Sequence, residues 1–164
     1  MAYINKEQVK QIREALKKEF PEIKFSVRKE NYSSVHVTIL KSPYNFSDLP
    51  NYRPDSATSV NHFRVPDCVH RRLFEKILMI IKTGSDRTWF DKSDSMTDYF
   101  HVAFYIHLYV GHWEKGYEMI SMEEARKQIR KNLGLPAKKY SKKKTKGISK
   151  SQANKLANDF ISSI

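Results

Sequence analysis

Seventeen residues, "TDYFHVAFYIHLYVGHW" at 97–113, constrain the fold of this chain more than any other stretch. Taken alternately, one set is Phe100, Val102, Phe104, Ile106, Leu108 and Val110, and the other is Tyr99, His101, Ala103, Tyr105, His107 and Tyr109. Successive strand side chains point to opposite faces, so a period of two predicts one β-strand ending near Gly111. The first set predicts a core face. The second carries tyrosine and histidine where a solvent-facing strand ordinarily carries Lys, Glu, Thr or Ser. A sheet with one buried face and one unusual face follows.

The flanking segments supply the layer that buries the apolar face. "NKEQVKQIREALKKEF" predicts a helix capped by Asn5, with Val9, Ile12, Leu16 and Phe20 on one side and Pro21 as the stop. "KFSVRKENYSSVHVTIL" predicts a hairpin, with Phe25 and Val27 facing in on one strand, Val35, Val37 and Ile39 on the next, and "ENYSS" as the turn. Residues 41–68 lack periodicity and predict a long loop, within which "SVNHFRV" suits an edge strand. Asp67 is expected to cap a second helix burying Val69, Leu73, Phe74, Ile77, Leu78, Ile80 and Ile81, stopped by Gly84. Trp89 and Phe90 suit a short pairing segment. "SMEEARKQIRKNLG" predicts a third helix with a capping box from Ser121 to Glu124. The expected architecture is α+β: a small antiparallel sheet with helices on one face, in the order α-β-β-α-β-α, plus a tethered C-terminal helix. In domain terms this is an α+β domain at 1–134, a Lys-rich linker at 135–148 and an amphipathic helix at 149–164.

Charge sets the class of partner. The 164 residues carry 30 Lys and Arg against 18 Asp and Glu, a net of +12. From Leu135 onward there are eight lysines and one acid, a net of +7, which leaves +5 for the rest. Such a balance points to nucleic acid or another polyanion. Lys138, Lys139, Lys142, Lys143, Lys144 and Lys146 are dense enough to neutralise several phosphates, or to act only as a solubilising tether. No 18-residue apolar run predicts a membrane span, no leader pattern opens the chain, and the lone Cys68 suits a reducing compartment.

If the sheet is open on one side, Arg28 and His36 of the hairpin join Tyr99, His101, Tyr105, His107 and Tyr109. Such a basic, aromatic platform suits single-stranded nucleic acid, because bases stack on rings while cations hold phosphates. The competing expectations are cross-strand aromatic pairing without a ligand, or a face covered by the C-terminal helix or the long loop. No metal or cofactor is expected. His101 and His107 would stand about 20 Å apart on one strand, and no HExxH or CxxC occurs. The acids Asp86, Asp91, Asp94 and Asp98 suit turns and strand capping better than a cation loop. There is no nucleophile elbow, P-loop or GxGxxG, and no catalytic residue is expected. Cys68, next to a helix start, is the nearest thing to an activated nucleophile.

Two segments resemble a known family. "IREALKKEFPEIKFSVRKENYSSVHVTI" at 12–39 is similar to the opening of a large polyvalent protein-associated domain, and "NHFRV" with "DKSDSMTDYFHVAFYIHLYVGHWEKGY" at 91–117 resembles its second half, together spanning about 8–118. The matching positions include Phe25, Val27, Arg28, Asp94, Asp98, Tyr99 and Phe100. The resemblance implies a phage or conjugative-element context and no catalytic residues. The expectation is a small, basic, non-enzymatic mobile-element protein in the bacterial host cytoplasm, acting as an anti-defence, anti-CRISPR-like inhibitor on a host nucleoprotein effector or its nucleic acid. Its rivals are a nucleic-acid-binding accessory protein in replication, transfer or regulation and, more remotely, an enzyme using His or Asp near the long loop. A C-terminal helix docked on a second copy would make a homodimer.

Overall fold

The computed structural model describes residues 1–94, 96–97 and 99–135; the expected Lys-rich linker beyond Leu135 and the helix at 149–164 lie outside them. Helix α1 spans Lys6–Glu19 and starts as its sequence dictates. Asn5 accepts the Gln8 backbone N–H at 2.7 Å, and the Gln8 side chain accepts the Asn5 N–H at 3.0 Å, which satisfies two donors the first turn leaves free. Its buried face is Gln8, Val9, Ile12 and Leu16.

Strands β1 (Lys24–Glu30) and β2 (Ser34–Ser42) form the expected antiparallel hairpin. Asn31 and Tyr32 turn it with φ of 49° and 60°. The segment 43–57 is held by buried Phe46 and Leu49 and leads into β3 (Thr58–Val60). Helix α2 (Arg71–Thr83) buries Phe74, Ile77, Leu78 and Ile81. Strand β4 (Tyr105–Val110), the short β5 (Glu118–Met119) and helix α3 (Met122–Asn132) complete the order α-β-β-β-α-β-β-α. In α3 the predicted box forms between Ser121 and Glu124, and Gly134, at φ 65°, lets the Leu135 N–H reach the Arg130 carbonyl at 2.9 Å. The amide side chain of Asn132 ties this helix to the Pro21 carbonyl at 2.8 Å.

The fold is α+β, but its sheet is mixed rather than antiparallel. The order is β1-β2-β4-β3; β4 runs parallel to β2, β3 runs antiparallel to β4, and β5 extends the parallel pairing along the end of β2. Helix α2 sets that direction. It begins beside the segment just past the end of β2, where Val69 N–H bonds Asp48 at 2.6 Å and the His70 ring lies 5.2 Å from Tyr44. It ends beside Trp89, whose N–H bonds the Lys82 carbonyl and whose indole N–H bonds the Phe104 carbonyl at 2.8 Å. The chain is thus returned to the start of the sheet, and β4 must leave in the same sense as β2.

Two local expectations fail for related reasons. The strand predicted from Tyr99 onward begins only at Tyr105. Residues 99–103 fold back on 91–94 instead, through bridges Asp91–Val102 and Asp94–Tyr99, as a separate arm. Val102, Ala103 and Phe104 are all buried and Phe100 is exposed, so the alternation breaks there. Helix α2 begins at Arg71, later than expected: His70 is the cap position without a side-chain bond, Asp67 is exposed, and Val69 is 82% exposed rather than buried. Asp48 takes the Val69 N–H that an earlier helix start would have needed.

The inward rows Val27, then Val35, Val37 and Ile39, then Ile106, Leu108 and Val110 share one core with both long helices. That leaves the opposite face of β1, β2 and β4 free of helices α1 and α2.

Candidate functional site

Register builds this outer face. Arg28, His36 and His107 stand side by side across β1, β2 and β4, and Ser26, Thr38, Tyr109 and Ser59 form the next row. The His36 and His107 ring centroids are 4.4 Å apart, close enough for direct packing. The His107 and Tyr109 rings are nearly parallel, at 7° and 6.4 Å, as expected for side chains two apart on one strand. His36 Nε2 lies 2.9 Å from a Glu30 carboxylate oxygen. Burial, followed by the neighbouring His107, holds the His36 pKa below the usual imidazole range, with Glu30 opposing. The neutral ring donating its Nε2–H to Glu30 satisfies both groups. Arg28 donates its Nε–H to Ser26 Oγ at 3.1 Å, which fixes the guanidinium on this face.

Of the residues expected to act together, Arg28, His36, His107 and Tyr109 do assemble, and Tyr105 follows at the half-exposed strand end. Tyr99 and His101 do not join them. They sit on the arm, where His101 packs edge-on against Phe90 at 5.1 Å and Tyr99 against His101 at 5.7 Å. Lys138, Lys139, Lys142, Lys143, Lys144 and Lys146 lie outside the described residues. Asp94 serves the arm's turn, accepting the Met96 N–H and the Thr97 hydroxyl, and Asp91 accepts the Ser93 N–H. At Cys68 burial pushes the thiol pKa up, and the helix starts three residues later. Among the described residues no group of three His, Cys, Asp or Glu is placed to hold a metal ion, and no helix is long and apolar enough to cross a membrane.

Sequence reasoning missed the end wall of the face. Residues 112–116 form a tight turn, with His112 and Gly116 exchanging both backbone bonds at 2.7 Å. Trp113 at its tip is 69% exposed. Together with the outer face, the turn encloses an open depression of about 470 Å³ lined by Arg28, Glu30, His36, Tyr109, His112 and Trp113, among others. Gly111 and Gly116, both at positive φ, bracket this turn in "GHWEKGY", and that pair was the available signal.

The fold and this face define a small α+β protein with a mixed sheet whose face away from α1 and α2 is aromatic and carries Arg28. Residues 3–69 match the family model described as Large polyvalent protein associated domain 29. The match covers α1, the hairpin and β3, the part that contains "KFSVR" and "SSVHV"; the similar-looking segment 91–117 lies beyond it. The family name places that segment among domains associated with phages and mobile elements. A search of curated proteins and a search of solved structures return no match.

Proposed function

We propose that this chain is a non-enzymatic binding protein that holds single-stranded nucleic acid on the outer face of its sheet. The observation that carries the reading is the contiguous ring cluster His36–His107–Tyr109 beside Arg28, on a face that α1 and α2 leave uncovered. A base has an apolar face to lay on such rings, and a strand has phosphates for Arg28 and for the lysine-rich segment after Leu135. A duplex hides its base faces and gains only the phosphate part.

The test is a titration of labelled single-stranded and duplex DNA and RNA at two salt concentrations. Single strands are expected to bind more tightly. Tyr109→Ala should weaken them by about tenfold, from roughly 1–3 kcal/mol per stacked base. Replacing the six lysines from Lys138 to Lys146 by Ala should flatten the salt dependence and leave the Tyr109 effect intact. Equal affinity for duplex and single strand, unchanged by Tyr109→Ala, refutes the platform.

In the phage and mobile-element setting of the matched family, such binding has two uses. An anti-CRISPR-like inhibitor would occupy a host effector's guide or target strand in the bacterial cytoplasm. An accessory protein would coat strands during replication, transfer or regulation. Inhibition of a purified effector that Tyr109→Ala abolishes would favour the first; strand binding without inhibition would favour the second.

A further inference from the structure

The depression, which runs along the face from the Trp113 turn to Glu30 beside the β1–β2 turn, has a chemistry the rest of the platform lacks. Its aromatic walls are Tyr109, His112 and Trp113. On the β1 side stands a carboxylate, an unexpected group on a surface meant for a polyanion. Glu30 is held there by the 2.9 Å contact with His36 Nε2, and its second oxygen has no recorded partner among the described residues. Arg28, two residues back on the same face of β1, is steadied by Ser26, and among the described residues its terminal nitrogens have no hydrogen-bond partner, so they can form a phosphate fork.

A fixed carboxylate offers two acceptors side by side. Guanine alone presents two adjacent N–H donors, N1–H and N2–H, on its pairing edge. Adenine and cytosine each set a ring acceptor beside their exocyclic donor, and uracil flanks its N–H with two carbonyls, so each turns at least one lone pair toward the carboxylate. A carboxylate that only repelled phosphate would weaken strand binding; one that reads a base edge has a reason to stand inside an aromatic depression.

We propose that the Glu30 end of this depression is a one-base subsite that selects guanine in a single strand, Glu30 reading the N1–H/N2–H edge, His36 and Tyr109 bearing the base, and Arg28 holding the adjoining phosphate, with Trp113 closing the far end of the depression. The inference rests on the strand-binding reading, and its test separates the two. Anisotropy titrations of the full chain use four labelled RNA hexamers, UUGUUU, UUAUUU, UUCUUU and UUUUUU. The G-containing hexamer is expected to bind about tenfold more tightly than the other three, the discrimination typical of one well-formed bidentate contact. Glu30→Gln keeps the shape but replaces one acceptor by a donor, and should reduce the preference for the G-containing hexamer to less than twofold. Glu118→Gln removes a charge outside the depression and should leave the preference unchanged. Equal binding of all four hexamers overturns the guanine subsite and leaves strand binding standing. Binding of none overturns both.

Discussion

Replacing Gly116 by Ala tests the link between fold and site. Gly116 sits at φ 64°, and a Cβ built there would lie 1.8 Å from the Pro54 carbonyl oxygen, a backbone atom that no rotamer change can move. Two costs add. A left-handed conformation costs a non-glycine residue about 1–2 kcal/mol. Relieving the overlap means shifting the 53–56 loop or the 112–116 turn, comparable to overpacking a core at about 1–3 kcal/mol. The expected destabilisation is therefore about 2–5 kcal/mol. Gly134 supplies the control: its φ is 65°, but nothing lies within 4 Å of its built Cβ. Gly134→Ala should show the conformational part alone, about 1 kcal/mol. Urea unfolding followed by far-UV circular dichroism reads both. With a slope of about 2 kcal/mol/M, Gly116→Ala should lower the midpoint by about 1–2.5 M and Gly134→Ala by about 0.5 M. Equal shifts for the two variants would refute the close approach of Pro54 to the turn. Displacing that turn moves Trp113, so Gly116→Ala should also weaken strand binding below its own unfolding midpoint, where Gly134→Ala does not.

Tyr117→Phe removes a hydroxyl that lies 2.5 Å from Ser42 Oγ, 2.9 Å from the Ser42 carbonyl and 2.6 Å from the Tyr44 carbonyl; urea unfolding should show a loss of about 1–3 kcal/mol. Burial raises the Tyr117 pKa to about 12, so its alkaline contribution is intact below about pH 10, where the unfolded phenol starts to ionise, and is lost between there and about pH 12; the Phe variant should lack that decline. The His36 pKa is lowered in the folded state, so the unfolded chain takes up the proton first and stability should fall as pH drops below about 6.5, with His36→Gln flattening part of the slope between pH 7 and 5.5. His62, also lowered by burial and by Lys82, accounts for a share that this variant leaves in place. Asn5→Ala breaks the α1 capping box and should cost about 1 kcal/mol in the same urea assay.

What the sequence discloses is what local chemistry decides. The caps at Asn5 and Ser121, the apolar spacing of α1 and the β1–β2 hairpin depend on residues a few positions apart, and all are found as expected. The misread segment contains its own warning. Ala103 fell in the Tyr/His set and Phe100 in the core set, yet Ala103 is buried, with its N–H on the Phe90 carbonyl and its carbonyl taking the Tyr3 N–H. The sequence marks Phe90 as part of a short pairing segment but not what it pairs with, and Tyr3 carries no signal, so periodicity runs on through the break. The direction of β4 was hidden for a different reason. A period of two assigns faces and says nothing about whether a strand runs up or down. The adjacency of His36 and His107 followed only once β2 and β4 were known to be parallel and in register, and the Trp113 wall depended on where the turn meets the 53–56 loop.

The same parallel insertion bears on the matched family segment. Residues 3–69 hold β1, β2 and β3, but β3 pairs with β4 and β2 has β4 on its second edge. Without residues beyond 69, β2 would expose an open edge, β3 would have no strand to bond, and Val35, Val37 and Ile39 would lose the cover of α2. An apolar face covered by α1 alone and two unpaired edges do not make an independently stable unit. In this chain the segment that carries the family match therefore depends on α2 and β4, which lie outside it. It also carries only one of the three rings of the platform, His36, since His107 and Tyr109 come from β4. A fragment of residues 1–69 is expected to lack a cooperative urea transition, whereas residues 1–135 should retain one. A cooperative transition in the shorter piece would mean that the matched segment has a core of its own, and that β4 is an addition to a fold already complete.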